Sequence, residues 1–184
     1  MTRTQLDSAA VQIRAAAAAD CEAISSFVTG LSPRARFFRF FTPASPPTSA
    51  VLRAMCGAGR TTDVLVATAG GAVIGHAMAA DGTGPDGGRT TDVGLVVADR
   101  WQHRGLGSEL LRRLIDRATE RGVSVLVLDV LPENRMMLAM ISRRWADAGY
   151  EFGGGSVTAR VRLSASPAQG HDQGHGRGAA LRAA

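Results

Sequence analysis

The sequence predicts an α/β (α+β) fold in which helices flank a central, mixed and mostly antiparallel sheet. The predicted elements follow the order β-α-α-β-β-β-α-β-α-β(β), in which the last strand stands for one strand or a pair. Two glycines between consecutive strands indicate a hairpin, and hence antiparallel pairing. A strand in the second half is an almost continuous apolar run, which is typical of a strand buried on both faces. We therefore expect a mixed sheet rather than a doubly wound parallel fold.

The first part of the chain predicts one strand followed by helices. Residues 11–15 form the short strand, and Asp20 is expected to cap a helix that runs to Val28. Ser32 and Pro33 then begin another helix, as its N-cap and its first-turn residue.

The middle of the chain predicts three strands, two of them joined tightly. The elements are, in order, a proline-rich loop over residues 42–49, a short helix over 50–56, strands over 63–69 and 72–80, a flexible glycine-rich loop over 81–89 and a strand over 91–98. The connection Gly70-Gly71 is the hairpin signal.

The last part predicts helix, strand, helix and strand. Apolar residues recur at helical spacing from Leu106 to Ala118, with arginines and acidic residues on the opposite side, and Gly122 ends this helix. The remaining elements are a buried strand over 123–130, a helix over 136–145 and an alternating strand over 156–163.

The termini are predicted to lie outside the folded domain. We expect a flexible segment over residues 1–10, a domain over 11–163 and a disordered Gly/Ala-rich tail over 164–184. His171 and His175 in this tail are expected to be solvated rather than to bind a metal.

Composition and charge narrow the range of functions. The formal net charge is +5, and all 21 basic residues are arginine, so the chain contains no lysine. The arginines are scattered without interleaved aromatic residues, which argues against nucleic-acid binding, although the charge suits an anionic ligand. No apolar run approaches the roughly 20 residues that a membrane helix needs, and the N-terminus lacks the apolar stretch of a signal peptide. We therefore expect a cytoplasmic protein, in which Cys21 and Cys56 are buried free thiols without metal-ligand spacing.

One loop carries most of the chemical information. A strand ends near Val97, and a helix begins at the sequence Gln102-His103-Arg104-Gly105-Leu106-Gly107-Ser108. The first N–H groups of a helix have no partner inside it and lie at the positive end of its dipole, and glycines let a pyrophosphate approach the backbone. A dinucleotide-binding loop would need a third glycine at position 110, which is leucine.

This loop, Gln102-x-Arg104-Gly105-x-Gly107, resembles the Gln/Arg-x-x-Gly-x-Gly/Ala signature of GNAT acetyltransferases, and the element order agrees from residue 11 to 163. The resemblance implies acetyl-CoA as co-substrate and no metal. The pyrophosphate would bind the backbone amides of residues 102–108. The pantetheine would pair along Leu95, Val96 and Val97, where the strand splays from its neighbour and a backbone amide polarises the thioester carbonyl. Asn134 matches a CoA-binding asparagine, and it also suits a helix cap.

The resemblance also supplies candidates for proton transfer. Asp92 stands where many family members carry a glutamate, and burial would raise its pKa, which suits a general base. Its shorter side chain favours a bridging water, and a solvated aspartate is the alternative. Asp129 is a secondary candidate, with a purely structural role as its alternative. The family's tyrosine acid is replaced by Ile141, and Tyr150 is expected to pack rather than to donate, so that water would protonate the leaving thiolate.

Two histidines complete the set of candidates. His76 lies in mid-strand and is expected to be a core residue, with a place in the acceptor cleft as the alternative. His103 lies in the phosphate loop and is expected to be exposed.

A second segment resembles one branch of the family. Leu31-Ser32-Pro33-Arg34-Ala35-Arg36-Phe37-Phe38-Arg39-Phe40-Phe41 is similar to a segment of bacterial Pat-type protein lysine acetyltransferases. The resemblance implies that Arg36, Phe37 and Phe40 lie on the substrate side, and that the acceptor is a protein lysine, for instance of an acyl-CoA synthetase. Acetylation of a small amine (a polyamine, an amino acid or an antibiotic) and a non-catalytic acyl-CoA sensor stay open, and the sequence does not determine the oligomeric state.

Overall fold

The protein is described by a computed structural model over residues 10–42, 47–57, 59 and 61–163. Most of the predicted flexible segment 1–10 and the predicted tail 164–184, with His171 and His175, lie outside the described residues. The helices and strands are β1 (Gln12–Ala15), α1 (Cys21–Thr29), α2 (Pro33–Phe40), α3 (Ser49–Met55), β2 (Thr62–Ala69), β3 (Ala72–Thr83), β4 (Arg89–Val97), α4 (Leu106–Glu120), β5 (Val125–Val130), α5 (Arg135–Arg144), β6 (Gly149–Gly153) and β7 (Ser156–Arg162).

The strands form one sheet with the order β1-β2-β3-β4-β5-β7-β6. Every neighbouring pair is antiparallel except β4 and β5, which are parallel. Gly70 and Gly71 both have positive φ, as a tight β2–β3 hairpin requires. The predicted mixed and mostly antiparallel sheet is therefore confirmed.

Helices cover the two faces of the sheet unequally. On one face, Leu110 and Leu114 of α4 pack on β2, β3 and β4, and α5 joins α4 over β5 and β7 through Ile141. On the other face, α1 and α3 pack on β2, while Ala35 of α2 packs on Val96 of β4. Each of these buried leucines contributes about 1.5–3 kcal/mol of transfer free energy.

Strand β7 shows the effect of this unequal cover. Val157, Ala159 and Val161 are buried, whereas Arg160 and Arg162 between and after them are exposed. Strand β5 likewise exposes Asp129, so the expectation of a strand buried on both faces is wrong at this position, because the helices over β5 pack on one face only.

The loop expected over residues 81–89 is shorter than predicted, because strand takes up both of its ends. Strand β3 continues to Thr83 and β4 begins at Arg89, and Gly84 and Gly88 close the turn between them with a hydrogen bond of 2.8 Å. The extension is held by Asp81, whose carboxylate accepts a hydrogen bond from Arg121 Nε at 2.9 Å. The glycine-rich composition indicated flexibility, but this ion pair at the end of α4 fixes the hairpin.

Helix α1 begins where predicted, but Asp20 does not cap it. The Asp20 carboxylate points back to the Ala17 N–H at 2.7 Å and to both terminal nitrogens of Arg14. The Arg14 guanidinium, with help from the Ala17 N–H, lowers the pKa of Asp20 to about 2. By contrast the Ser32 cap is confirmed, since its Oγ accepts from the Ala35 N–H at 3.1 Å.

The last strand, the two cysteines and the membrane-spanning potential can also be compared with the prediction. The optional last strand pair is present as β6 and β7, and Tyr150 lies in β6. Cys21 and Cys56 are free thiols but only half-buried, so the expectation of full burial is wrong. Within the described ranges, no helix combines the length and the apolar character that crossing a bilayer requires.

Candidate active site

A large cleft opens where β4 and β5 diverge. The parallel pairing covers only residues Thr90 to Asp92 of β4 against Val125 to Val127 of β5. Beyond these residues the two strands separate, and the resulting cleft has a volume of about 960 Å³. Its walls come from α2 and α3, from β4 and β5, and from the first turns of α4 and α5.

The separated part of β4 presents backbone groups to this cleft. Ala98 donates its N–H to the carbonyl of Ile74 at 2.9 Å, so the peptide groups of even-numbered residues in β4 face β3. Peptide groups alternate along a strand, and therefore those of Leu95 and Val97 face the divergence from β5. The Val97 carbonyl accepts a hydrogen bond from Gln102 Nε2 at 2.9 Å, which ties the following loop to the strand.

The loop before α4 forms a turn with unusual backbone conformations. His103 and Gly105 have φ values of 60° and 80°. The N–H groups of Leu106, Gly107 and Ser108 in the first turn of α4 have no partner within the helix. The Gln102 N–H is different, because it donates to the Asp99 carbonyl at 3.1 Å. This bond removes Gln102 from the backbone cradle that the sequence suggested over residues 102–108.

The structure brings most of the predicted cofactor residues to the cleft. Those that line it are Leu95, Val96, Val97, Gln102, His103, Gly105, Gly107, Ser108 and Asn134. Two others do not line it: the Leu106 side chain packs in the core, and Arg104 stacks on Trp101, with Cζ 5.3 Å from the ring. Asn134 caps α5, since its Oδ1 accepts from the Met137 N–H at 3.3 Å.

Two carboxylates lie on the cleft wall on the face that α1, α2 and α3 occupy. Asp92 pairs in register with Val127, and Asp129 follows two residues later on the same face of β5. Asp129 accepts a hydrogen bond of 2.6 Å from the hydroxyl of Thr158 on the neighbouring strand β7, so this carboxylate is oriented by a side chain.

The electrostatic surroundings of Asp92 differ from the expectation in one respect. Asp92 is exposed rather than buried. The protein around it still removes enough water to raise the pKa of Asp92, and the Asp129 carboxylate raises this pKa further, against the opposing effect of Arg160. A carboxylate with a raised pKa, at the edge of a cleft, is suited to accept a proton near neutral pH.

Helix α2 contributes to the cleft differently from the prediction. Phe40 lines the cleft, but Arg36 and Phe37 do not. Their place is taken by Phe38 and Arg39, because the face of α2 that carries Ala35 packs on the sheet and turns its neighbours one turn later toward the cleft. The six consecutive basic and aromatic residues gave no period from which this face could be read.

Other lining residues gave no sequence signal. Met136, Met137 and Met140 of α5, with Met78 of β3, form an apolar wall that resembles an ordinary core pattern. Helical periodicity placed the α5 residues on a helix but did not distinguish a face that packs from one that borders a cleft.

Of the remaining candidates for proton transfer, all but His103 lie away from the cleft. Ile141 is fully buried, Tyr150 on β6 does not line the cleft, and the predicted core position of His76 is confirmed, with its Nε2 2.9 Å from the Met55 carbonyl oxygen. His103 is exposed in the loop, as expected. Across residues 10–163, within the described ranges, no group of three or more His, Cys, Asp or Glu side chains is arranged to hold a metal ion.

The geometry fits a long ligand with an anionic end and an extended amide chain. The first turn of α4 offers N–H groups for phosphate, the separated edge of β4 offers N–H and C=O groups for an extended amide chain, and the carboxylates lie at the far end of that edge. Such a site supports acyl transfer to a group that must first lose a proton.

Comparison with known proteins agrees with this geometry. The family model described as "Acetyltransferase (GNAT) family" matches residues 33–144. A search of curated proteins found no match. The solved GNAT domain of S. lividans PAT is 25% identical, with a TM-score of 0.73, over 86% of this chain and 93% of that one.

Two further solved structures share the fold. The Salmonella typhimurium protein yncA, with its cofactor acetyl-CoA, is 22% identical with a TM-score of 0.63, over 95% of this chain and 99% of that one. A GCN5-related N-acetyltransferase from Kribbella flavida is 22% identical with a TM-score of 0.65, over 84% and 98%.

Proposed function

Since the chain belongs to the GNAT acetyltransferase family, and is thus an N-acetyltransferase that uses acetyl-CoA, we propose that its acceptor is a lysine side chain of a protein. We propose further that the amine attacks the thioester directly, with Asp92 as the general base. The observation that carries this proposal is the pair Asp92 and Asp129 on the open face of the sheet, beside the separated edge of β4.

The proposed donor site uses the backbone more than side chains. The N–H groups of residues 103–108 would hold the pyrophosphate, and Leu95 and Val97 would pair with the pantetheine arm. Asn134 would contact the arm while it caps α5. Since the arm runs from the start of α4 back along β4, the thioester carbonyl would lie closest to the Leu95 N–H, which would stabilise the oxyanion.

The acid pair is proposed to attract the acceptor and to deprotonate it. A lysine amine has a pKa of about 10.4, so only about one molecule in 2,500 is neutral at pH 7. Asp92, directly or through one water, would remove the proton as the amine nitrogen bonds to the carbonyl carbon. The carbon–sulfur bond then breaks, and the thiolate takes a proton from water, since Ile141 has no proton to donate. The negative charge of Asp129 would keep the pKa of Asp92 raised and would also attract the incoming ammonium group.

Two observations favour a protein over a small acceptor. The GNAT domain of S. lividans PAT is similar to this chain with a TM-score of 0.73. The segment 31–41, which resembles Pat-type enzymes, contributes six residues to the cleft lining, namely Arg34, Ala35, Phe38, Arg39, Phe40 and Phe41. The open face of β5 and β7 next to the acid pair also leaves room for a bulky acceptor, because Arg160 and Arg162 there are exposed. An acyl-CoA synthetase is the protein class that the resemblance suggests.

The test is thiol release from acetyl-CoA with an acyl-CoA synthetase and a panel of small amines offered side by side. We expect release with the synthetase, with the acetyl group mapped by mass spectrometry to one of its lysines. The enzyme has no lysine side chain of its own, so every acetyl-lysine found belongs to the acceptor. Release with small amines alone would contradict the protein acceptor. Tight acetyl-CoA binding without release to any acceptor would contradict catalysis and indicate a sensor.

A further inference from the structure

Arg39 of α2 is a cation in the cleft wall that has no acidic partner among the described residues. Its side chain is half-buried, and its Nε atom is buried without a hydrogen-bond acceptor among the described residues. Its guanidinium carbon lies 5.2 Å from the ring centre of Phe40. Burial lowers the pKa of Arg39 to about 10, which leaves the side chain protonated at neutral pH.

The guanidinium takes the place that a side chain would occupy at Gly94. A Cβ atom built on Gly94 would collide with Cζ and Nη2 of Arg39 and would lie 2.7 Å from Nη1. Glycine within a strand often marks such a close approach. Side chains alternate along β4, so Arg39 stands next to Asp92 on the same face, at a distance along the strand of about 7 Å.

The other charged groups near Arg39 do not neutralise it. No carboxylate lies within 4 Å of its guanidinium among the residues that the structure describes. The nearby His76 is neutral, because burial lowers its pKa to about 4. Asp92 and Asp129 lie farther along the face, where Arg160 is the cation that acts on Asp92. A buried charge without a partner destabilises a fold, so a cation kept at a cleft wall is suited to bind an anion.

We propose that Arg39 binds a carboxylate of the acceptor. This proposal rests on the proposed function and makes it more specific: the acceptor presents its amine to Asp92 and a carboxylate to Arg39, one strand repeat away. Arginine suits this role, since its planar fork binds a carboxylate through two parallel hydrogen bonds. The carboxylate has two sources, an acidic side chain beside a protein lysine or the α-carboxylate of a free amino acid, and the test separates them.

The test compares matched acceptors that differ in one carboxylate. The first pair is a capped lysine peptide with a neighbouring Glu and the same peptide with Gln, and the second pair is free lysine and lysinamide. We expect the wild type to favour the acid form in one pair by about 10- to 100-fold in kcat/KM, because charged hydrogen bonds contribute on that scale. The pair that shows the preference identifies the source.

Three variants and one control assign the preference to Arg39. Arg39→Gln should bring the ratio close to one, Arg39→Lys should keep part of it, and Gly94→Ala should reduce it by displacing the guanidinium. Arg36→Gln is the matched control, since Arg36 lies on the same helix with a buried Nε but outside the cleft lining, and should keep the wild-type ratio. Equal rates on both members of each pair in the wild type, or an unchanged ratio in Arg39→Gln, would overturn the proposal.

Two further measurements test whether the carboxylate belongs to the donor instead, and whether Arg39 binds a carboxylate when no acceptor reacts. In the first, acetyl-CoA and succinyl-CoA are compared as donors with one neutral acceptor. If the wild type prefers succinyl-CoA, and Arg39→Gln loses this preference but keeps the acceptor ratio, Arg39 binds a carboxylate of the acyl group. That result would overturn the proposal. If no acceptor is turned over, the proposed acetyltransferase reaction fails. The carboxylate site at Arg39 is then tested separately, by calorimetric titration of the CoA complex with glutarate and with glutaramide. Binding of glutarate alone, lost in Arg39→Gln, would support it, and absence of binding would overturn it.

Discussion

Replacement of Asp92 by asparagine separates catalysis from binding in this protein. The change keeps the shape of the side chain and removes its charge and its ability to accept a proton. The Asp92 side chain makes no hydrogen bond or ion pair in the described part of the chain and is exposed, so the fold should tolerate the change. Position 92 also lies outside the proposed donor-binding groups of residues 95–97 and 103–108, so the affinity for acetyl-CoA should not depend on it.

The size of the effect follows from the proton that the acceptor must lose. General-base catalysis contributes about 10²- to 10⁴-fold, and a short side chain that acts through a water belongs at the lower end. We therefore expect kcat/KM for the acceptor to fall by about 100-fold in Asp92→Asn, with the affinity for acetyl-CoA unchanged. Asp147→Asn, on an exposed loop outside the cleft, is the matched control and should behave as the wild type.

The pH dependence tests the same assignment independently. In the wild type, the acid limb of kcat/KM should follow the raised pKa of Asp92. Asp129→Asn removes a neighbouring negative charge and should move this limb to lower pH, whereas Asp92→Asn should abolish it. The assay is the initial rate of thiol release between pH 5 and 9 at saturating acetyl-CoA.

The raised pKa of Asp92 also predicts the direction in which stability changes with pH, and the same variants can test it. The folded-state pKa of Asp92 is raised, so its charged form is disfavoured in the folded protein and stability increases as the pH falls through that pKa. Asp92→Asn should therefore be at least as stable as the wild type at pH 7. Activity of Asp92→Asn within about threefold of the wild type, with an unchanged acid limb, would refute the assignment. Loss of activity in Asp129→Asn alone would transfer the role to Asp129.

Three further predictions concern stability. Gly75→Val should destabilise the protein by about 1–3 kcal/mol in urea titrations, because a Cβ at Gly75 already lies 3.0 Å from Leu110 Cδ1. Burial lowers the pKa of His76 from an ordinary 6.5 to about 4, so the folded protein holds this side chain neutral. The free energy of unfolding should therefore fall by about 3 kcal/mol as the pH drops from 6.5 to 4. His76→Leu should flatten this pH dependence. Arg121→Gln removes the guanidinium that bonds both Asp63 and Asp81 and should cost about 1–3 kcal/mol at pH 7. Because the arginines lower the pKa of both carboxylates, this cost should shrink only as the pH falls through those lowered pKa values. A salt titration should weaken this partly buried pair less than an exposed one.

Much of the fold could be predicted because its signals are local. The period of apolar residues in α4, the Gly70-Gly71 hairpin and the Ser32 cap each depend on residues within one or two turns of each other, and each is present in the structure. The loop before α4 belongs to the same class, since its glycines and the unpaired N–H groups of a helix start are properties of a short segment.

Local signals failed where a distant residue decided the outcome. Glycines at 82, 84, 87 and 88 indicated a flexible loop, but Arg121 at the far end of α4 holds Asp81 in a strand. Asp20 stood at the position of a cap, but its carboxylate bonds Arg14 on β1 instead, a pair that is close in sequence but depends on how β1 leads into α1. Exposure of Asp92 and Asp129 also depended on which part of the sheet the helices leave uncovered.

The sequence by itself determined the order of the elements, the type of sheet and the helix start that suits an anion, because neighbouring residues set each of these. Only the tertiary structure decided which side of α2 faces the cleft, that Asp92 and Asp129 share one face, and that Arg39 fills the space above Gly94. Each of these relations joins residues that are far apart in the sequence, and their distances depend on how strands and helices pack rather than on any pattern along the chain.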